Sequence, residues 1–300
     1  MAAYKKMTLI ERKLLKLKDS EEYKNQKYAE QLFKISDWPK IDVPKKEAYT
    51  FKHSGNAGDI IYSLPTIRAL GEGSETTLFL NINQPGHYGK RHHPLGNVML
   101  NDKMFDMLSP LLLGQPYINS LKKFEPNFVV DYDLDQIRSL PIKLAYGHIA
   151  RWYFYLYGIN ADLGKPWLTV TPNGGVSDYI VVARSHRYRQ PQIDHSFLKK
   201  YPKVMFVGVE EEYKDMKEMV PSIEFVKVKD FLELAQLIAG CKFFIGNQSF
   251  PFSLAEALKV NRVLEVYHLC PNVVVEGSKG YDFFFQSQFE KIVETLYEEV

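Results

Sequence analysis

From Tyr179 to Val266 short apolar runs alternate with helical stretches, and this alternation restricts the fold more than any other feature of the chain. Tyr179-Ile180-Val181-Val182-Ala183 has no strongly polar position to turn toward water, as a strand covered on both faces requires. Val204 to Val207, Ile223 to Val226, Phe243 to Ile245 and Val263 to Val266 repeat the pattern, with helices predicted near 211–219, 230–240 and 252–259. Parallel neighbours need a crossover long enough to hold a helix, so the pattern predicts an α/β fold with a parallel sheet. A similar unit precedes it: a strand over Tyr49 to Lys52, a glycine-bearing turn from Ser54 to Gly58, and a helix carrying Ile60, Ile61, Leu64 and Ile67. Further strands are expected at Leu78 to Ile82 and Phe128 to Val130, and an aromatic helix from Ile149 to Tyr157. Pro166-Trp167-Leu168 marks the crossing between halves, and a last helix over 287–299 is expected to pack back across it.

A chain of 300 residues exceeds what one core usually organises, and 45% hydrophobic residues suffice for two. The reading is an N-terminal helical extension (1–48), a first Rossmann-like domain (49–172) and a second (173–300). In the extension, Leu9, Ile10, Leu14 and Leu17 recur at helical spacing, and Pro39 and Pro44 close the segment. Residues 1–50 hold twelve Lys/Arg against eight Asp/Glu, which suits either a solvated helix on the main body or one that meets a membrane surface or a partner. The net charge of +2 excludes a global basic field for nucleic acid. Two cysteines without paired spacing, and no apolar stretch approaching the roughly 18 to 20 residues of a span, fit a cytoplasmic protein.

Two strand–turn–helix segments carry the chemistry. In His53-Ser54-Gly55-Asn56-Ala57-Gly58-Asp59 the chain turns at the carboxyl end of a strand, where α/β folds place ligands. By itself Asp59 reads more readily as a helix cap than as a general base. In Gly246-Asn247-Gln248-Ser249-Phe250-Pro251 a strand enters a helix whose free N–H groups suit an anion such as a diphosphate.

Together these segments resemble glycosyltransferase family nine, the lipopolysaccharide heptosyltransferases and their relatives. The resemblance rests on Gly58-Asp59, Leu64-Pro65 and Arg68-Ala69-Leu70 in the first half. In the second it rests on Gly246, Asn247, Ser249, Pro251, Leu254, Ala255, Ala257 and Leu258, preceded by the helix Leu234 to Cys241. It runs from about residue 50 to 275 and omits the extension. It implies a GT-B fold, two Rossmann-like domains facing a central cleft, and inverting transfer of a sugar from a nucleoside diphosphate, ADP-heptose being one candidate, to a hydroxyl. The acceptor would be a glycan, a lipid-linked molecule or another hydroxyl compound, and no cofactor is implied. Gln248 and Ser253 depart from the Asp and His common in the family, which weakens the case for heptose.

The implied donor site comprises Gly246, Asn247, Gln248, Ser249 and Pro251, with Arg184, Arg187 and Arg189 clamping the diphosphate bidentately in place of a metal. On the acceptor side, Asn56, Gly58, Asp131, Arg138 and His148 would surround the base Asp59. Asp133, Asp135 and Arg151 belong to the same polar set, which ion pairing explains as well. Trp152 to Tyr155 read as core or as a stacking surface, and Glu210 to Glu212 as ribose contacts or a helix start. His87, His92 and His93 have no partners at ligand spacing, so a loop is expected there and no metal. Two rival functions remain: a nucleotide-binding protein without turnover, and a glycosyltransferase acting on nucleic-acid bases, supported only by the basic extension.

Overall fold

The computed structural model describes residues 7–33, 44–86, 88, 95–140 and 143–299. The extension is a pair of helices, α1 (Leu9–Lys18) and α2 (Ser20–Phe33). Thr8 starts α1 with a capping box: its hydroxyl accepts from Glu11 N–H, and the Glu11 carboxylate accepts from Thr8 N–H at 2.7 Å. Arg12 of α1 pairs with Glu30 of α2 at 2.7 Å.

The first sheet contains β1 (Ala48–His53), β2 (Glu75–Leu80), β3 (Ser120–Lys123) and β4 (Tyr132–Asp133) in the order β3-β2-β1-β4, all parallel. Its helices are α3 (Ala57–Leu70), α4 (Asp102–Leu113) and α5 (Ile149–Tyr157). The expected strand at Phe128 to Val130 does not form: Phe128 and Val129 lie exposed in the connection before β4. Their apolarity imitates a strand, whereas β3 and β4 are short edge strands with polar positions and leave little signal.

The second sheet contains β5 (Ile180–Ala183), β6 (Val204–Val207), β7 (Glu224–Val226), β8 (Phe243–Asn247), β9 (Arg262–Glu265) and β10 (Gly280–Phe283). It is parallel throughout, in the order β10-β9-β8-β5-β6-β7. The helices are α6 (Glu210–Met219), α7 (Phe231–Gly240), α8 (Phe250–Leu258) and α9 (Gln286–Glu299). The last of these does not cross back, because Phe289, Val293 and Leu296 pack into the core of the second sheet with Ile180, Phe206, Ile245 and Phe283.

A second core runs through both sheets, joining Phe51, Ile60 and Leu64 to Val181, Phe252 and Leu264. Pro65 explains one of its joints. Proline inside α3 has no N–H to give the carbonyl four residues earlier, so the Ile61 carbonyl lacks its usual helical donor. The Trp167 indole N–H fills that place at 3.1 Å, while the Trp167 backbone N–H donates to the Ala257 carbonyl at 3.0 Å. The crossing segment thereby ties α3 to α8. Beneath it Lys259 lies 4.6 Å over the Trp167 ring, and buried Arg262 and Lys259 both pair with buried Glu256.

Candidate functional site

Parallel sheets bind ligands beyond the carboxyl ends of their strands, where the winding direction reverses. In the second sheet the chain winds outward through β5, β6 and β7 and then returns to place β8 on the other side of β5. The crevice therefore opens between the loop after Ala183 and the turn after Asn247. In the first sheet the reversal falls between β1 and β4, at Ser54 and at Asp135 to Arg138.

These two crevices meet. A Cβ placed on Gly58 would come 3.8 Å from the Phe250 Cα and 3.9 Å from the Ser253 Oγ, so the first turns of α3 and α8 touch. Asn56 is the N-cap of α3, and the Asp59 carboxylate accepts from Asn56 N–H at 3.2 Å and from its side-chain amide at 3.4 Å. Asp59 is half-buried and has the reciprocal bond of a capping box. Gly55 is forced by crowding, since a Cβ there would sit 2.5 Å from the His53 ring, 2.7 Å from Arg138 and 3.0 Å from the Asp59 Cβ. Arg138 donates to Ser54 Oγ at 3.2 Å and to Asp135 at 2.6 Å, beside the turn.

Across the junction, Ser249 caps α8 through its position alone: its hydroxyl donates to the Asn247 carbonyl at 3.1 Å and makes no cap bond. Pro251 in the first turn has no N–H. The side chains of Asn247 and Gln248 are frame, which corrects the expectation that they face a donor. Asn247 accepts from Ser185 N–H at 2.9 Å and donates to the Ser185 carbonyl at 2.8 Å. Gln248 is buried, donating to the Cys270 carbonyl and Asn272 and accepting from Tyr267 N–H, and so pins the loop after β9. Gly246 lies inside β8 packed against Phe244 and the Ala183 carbonyl, and contributes close packing.

The three arginines divide. Arg184 is buried and forms a bidentate pair with buried Glu265 at 2.7 and 2.8 Å, also donating to the Ile193 carbonyl. Arg189 pairs with Asp215 at 2.7 Å and donates to the Ser185 and Arg184 carbonyls. Neither guanidinium is available as the expected clamp: one neutralises a core carboxylate and the other closes its own loop. Only Arg187 faces the junction. It lies 5.4 Å over the Tyr88 ring and 5.3 Å over that of Tyr188, with no carboxylate at ion-pair distance among the described residues. Tyr88 in turn donates to Asn56 Oδ1 at 2.5 Å, which links Arg187 to the turn bearing Asp59.

Asp131 does not belong to this group. It stands before β4, level with Thr50 at the opposite end of the sheet, where it accepts from Thr50 N–H and hydroxyl and pairs with Lys46. His148 is the N-cap of α5, its Nδ1 accepting from Ala150 N–H at 3.1 Å. Burial pushes its pKa down to about 4, so the ring is neutral with the proton on Nε2, a buried atom without a hydrogen-bond partner among the described residues. Arg151 pairs with Glu276 at 2.6 Å, and Asp133 with Lys52 at 2.7 Å. In α5 Tyr153 and Phe154 are core, while Tyr155 is exposed. Glu212 accepts from His186 N–H at 3.2 Å, and burial raises its pKa.

Sequence reasoning gave no role to His53 or Tyr88 and read Tyr153 only as core or a stacking surface. The Gly55 N–H donates to His53 Nδ1 at 2.8 Å, so the ring proton resides on Nε2 and is donated to the Tyr153 hydroxyl, also at 2.8 Å. Burial lowers the His53 pKa, which keeps the imidazole neutral under the turn. Asp135 is held below the usual carboxylate range although burial opposes it, because the Ser54 N–H at 3.0 Å and the Arg138 guanidinium stabilise its charge. His53 opens the quoted segment and was legible there. Tyr88 lies among residues with no regular pattern. Among the described residues no cluster of His, Cys, Asp or Glu suits a metal, and His87, His92 and His93 lie outside them. Among the described residues no helix is long and apolar enough to cross a membrane.

Solved structures share this architecture. A glycosyl transferase family 9 protein from Veillonella parvula DSM 2008 superposes with a TM-score of 0.59 at 12% identity, covering 85% of this chain and 98% of that one. ADP-heptose lps heptosyltransferase II of E. coli gives 0.55 at 12% identity, covering 85% and 99%. E. coli heptosyltransferase WaaC, solved with ADP-2-deoxy-2-fluoro heptose, gives 0.53 at 10%, covering 84% and 99%. No family model matches the sequence, nor does any curated protein. With two parallel sheets whose switch points meet at one junction, the chain has the α/β GT-B fold of these glycosyltransferases.

Proposed function

We propose that this protein is an inverting glycosyltransferase that moves a sugar from a nucleoside diphosphate to a hydroxyl acceptor. The observation that carries the reading is the meeting of two helix starts, with Gly58 against Phe250 and Ser253 and with Arg187 reaching the tyrosine that holds Asn56. A diphosphate at the start of α8 meets the positive helix end and the Arg187 guanidinium, which pairs with no carboxylate among the described residues, both suited to the charge that grows as the leaving group departs. The acceptor oxygen attacks the anomeric carbon as the bond to the diphosphate breaks, and the Asp59 carboxylate takes the acceptor proton. Asn56 and Arg138 then line the acceptor side, and the N–H groups around Ser249 with Arg187 do the work a cation does elsewhere. A donor such as that solved with WaaC, an ADP-linked heptose, belongs to the chemical class expected.

Thermal-shift screening against ADP-, UDP-, GDP- and CMP-linked sugars, followed by sugar release, tests this. A ligand at about 100 times its dissociation constant adds roughly 2.7 kcal/mol. Stabilisation by one nucleotide class with release of the matching diphosphate is expected, and no response to any of them refutes the reading. Binding without turnover is the second reading. It is favoured by Ser253, which is buried and donates to the Phe250 carbonyl at 2.6 Å, presenting no acid or base where the family commonly has His.

A further inference from the structure

Helix α1 leaves its apolar side uncovered. Leu9, Ile10, Leu14 and Leu17 are 70%, 70%, 59% and 87% exposed, whereas Arg12 and Leu15 on the other side turn toward α2. At about 100° per residue the four exposed side chains fall within an arc of about 140°, an apolar stripe interrupted by one lysine. Lys13 lies inside that arc and Lys16 and Lys18 flank it. Among the described residues no carboxylate comes within ion-pair distance of these three lysines. The one acidic residue of the helix, Glu11, is committed to the capping box, and Arg12 to Glu30.

We infer that α1 is a surface anchor that lays this stripe into the headgroup region of an anionic phospholipid bilayer, with Lys13, Lys16 and Lys18 on the lipid phosphates. Ten residues of helix span about 15 Å, half of a hydrocarbon core of about 30 Å, so the helix lies along the surface. Charge selects the occupant. A second copy seated on the stripe by a two-fold axis would set the two lysine clusters against each other, whereas an anionic surface attracts each lysine by about fivefold in affinity. The inference is independent of the sugar-transfer reading, since it concerns no residue of the junction.

The full chain is sedimented with vesicles of phosphatidylcholine alone and of phosphatidylcholine with phosphatidylglycerol, without any sugar donor. It is compared with Leu14→Gln/Leu17→Gln and Lys13→Gln/Lys16→Gln/Lys18→Gln, while light scattering reports its mass in solution. Both sets lie on an exposed face, and unchanged melting confirms that the variants fold. Binding to the anionic vesicles only, weakened by salt, abolished by the leucine changes and reduced on the order of a hundredfold by the lysine changes, is the expected result. Wild-type protein left in the supernatant of anionic vesicles overturns the inference, as does equal sedimentation of the leucine variant. A wild-type dimer that the leucine changes convert to a monomer overturns it too and makes a second copy the occupant.

Discussion

Substituting Asp59 by Asn separates the two tasks this carboxylate can have. As part of the capping box it accepts from Asn56 N–H at 3.2 Å, and the carbonyl oxygen of Asn can take the same bond. What the fold loses is the interaction of a negative charge with the positive start of α3, about 0.3 to 1 kcal/mol, which in a chain of this length moves the melting temperature by no more than about 4 °C. The reaction loses far more. Without a group to take the acceptor proton, turnover falls by about 10²- to 10⁴-fold. Donor affinity holds, because Arg187 and the start of α8 are untouched. Turnover with the donor found by screening, donor affinity by calorimetry and melting by differential scanning are measured on the same preparations. Turnover within about fivefold of wild type, with melting unchanged, would leave Asp59 a cap and refute the base assignment.

The arginine loop gives a paired prediction: Arg187→Ala weakens nucleoside-diphosphate binding by about 1.5 to 3 kcal/mol with little change in melting. Arg184→Ala strands buried Glu265 and destabilises the fold by about 3 to 5 kcal/mol. If calorimetry and melting give the reverse pattern, frame and clamp have been exchanged. Turnover is expected to persist in excess EDTA, and loss on chelation with recovery on magnesium or manganese would overturn the metal-free account. Burial holds His148 at about 4 in the fold against 6.5 when unfolded, so the unfolded chain binds the extra proton first. The contribution of this group is fully present above pH 6.5 and is lost as pH falls toward 4, by about 3 kcal/mol in total. Melting curves across that window are expected to fall less steeply for His148→Gln, and parallel curves would count against the assignment.

How much of this was legible depended on where each interaction closes. The strands β5, β6 and β8 are buried along their whole length and show as largely apolar runs in the sequence, and the two turns announce themselves by glycine at a strand's end. The edge strand Ser120 to Lys123 carries two lysines in four residues and does not. Arg184, Arg187 and Arg189 look alike as letters. What distinguishes them is Glu265, 81 residues away from the first, and Asp215, 26 residues away from the third. Asp131 and Asp135 are likewise equivalent in the sequence, yet the register of β4 on β1 sends one to each end of the sheet.

Those same long-range partners account for the shape of the candidate site. A loop that must present one guanidinium toward the junction has to be fixed at its base. Arg184 in the core on Glu265, Asn247 on both backbone groups of Ser185, and Arg189 folded back on the Ser185 and Arg184 carbonyls fix it from three directions. The pair Arg184–Glu265 gains little as stabilisation, because desolvating both charges offsets most of their attraction. Its use is positional: with His195 neutral beside it, Glu265 has Arg184 as its cationic partner and takes the Gln190 N–H at 2.7 Å as well, so one carboxylate holds both ends of the loop. Arg187 lies between those anchored ends, and its hold on Tyr88 joins it to the α3 cap. A rigid base whose Arg187 has no carboxylate at ion-pair distance among the described residues costs less ordering when an anion binds than a loop of three mobile arginines would.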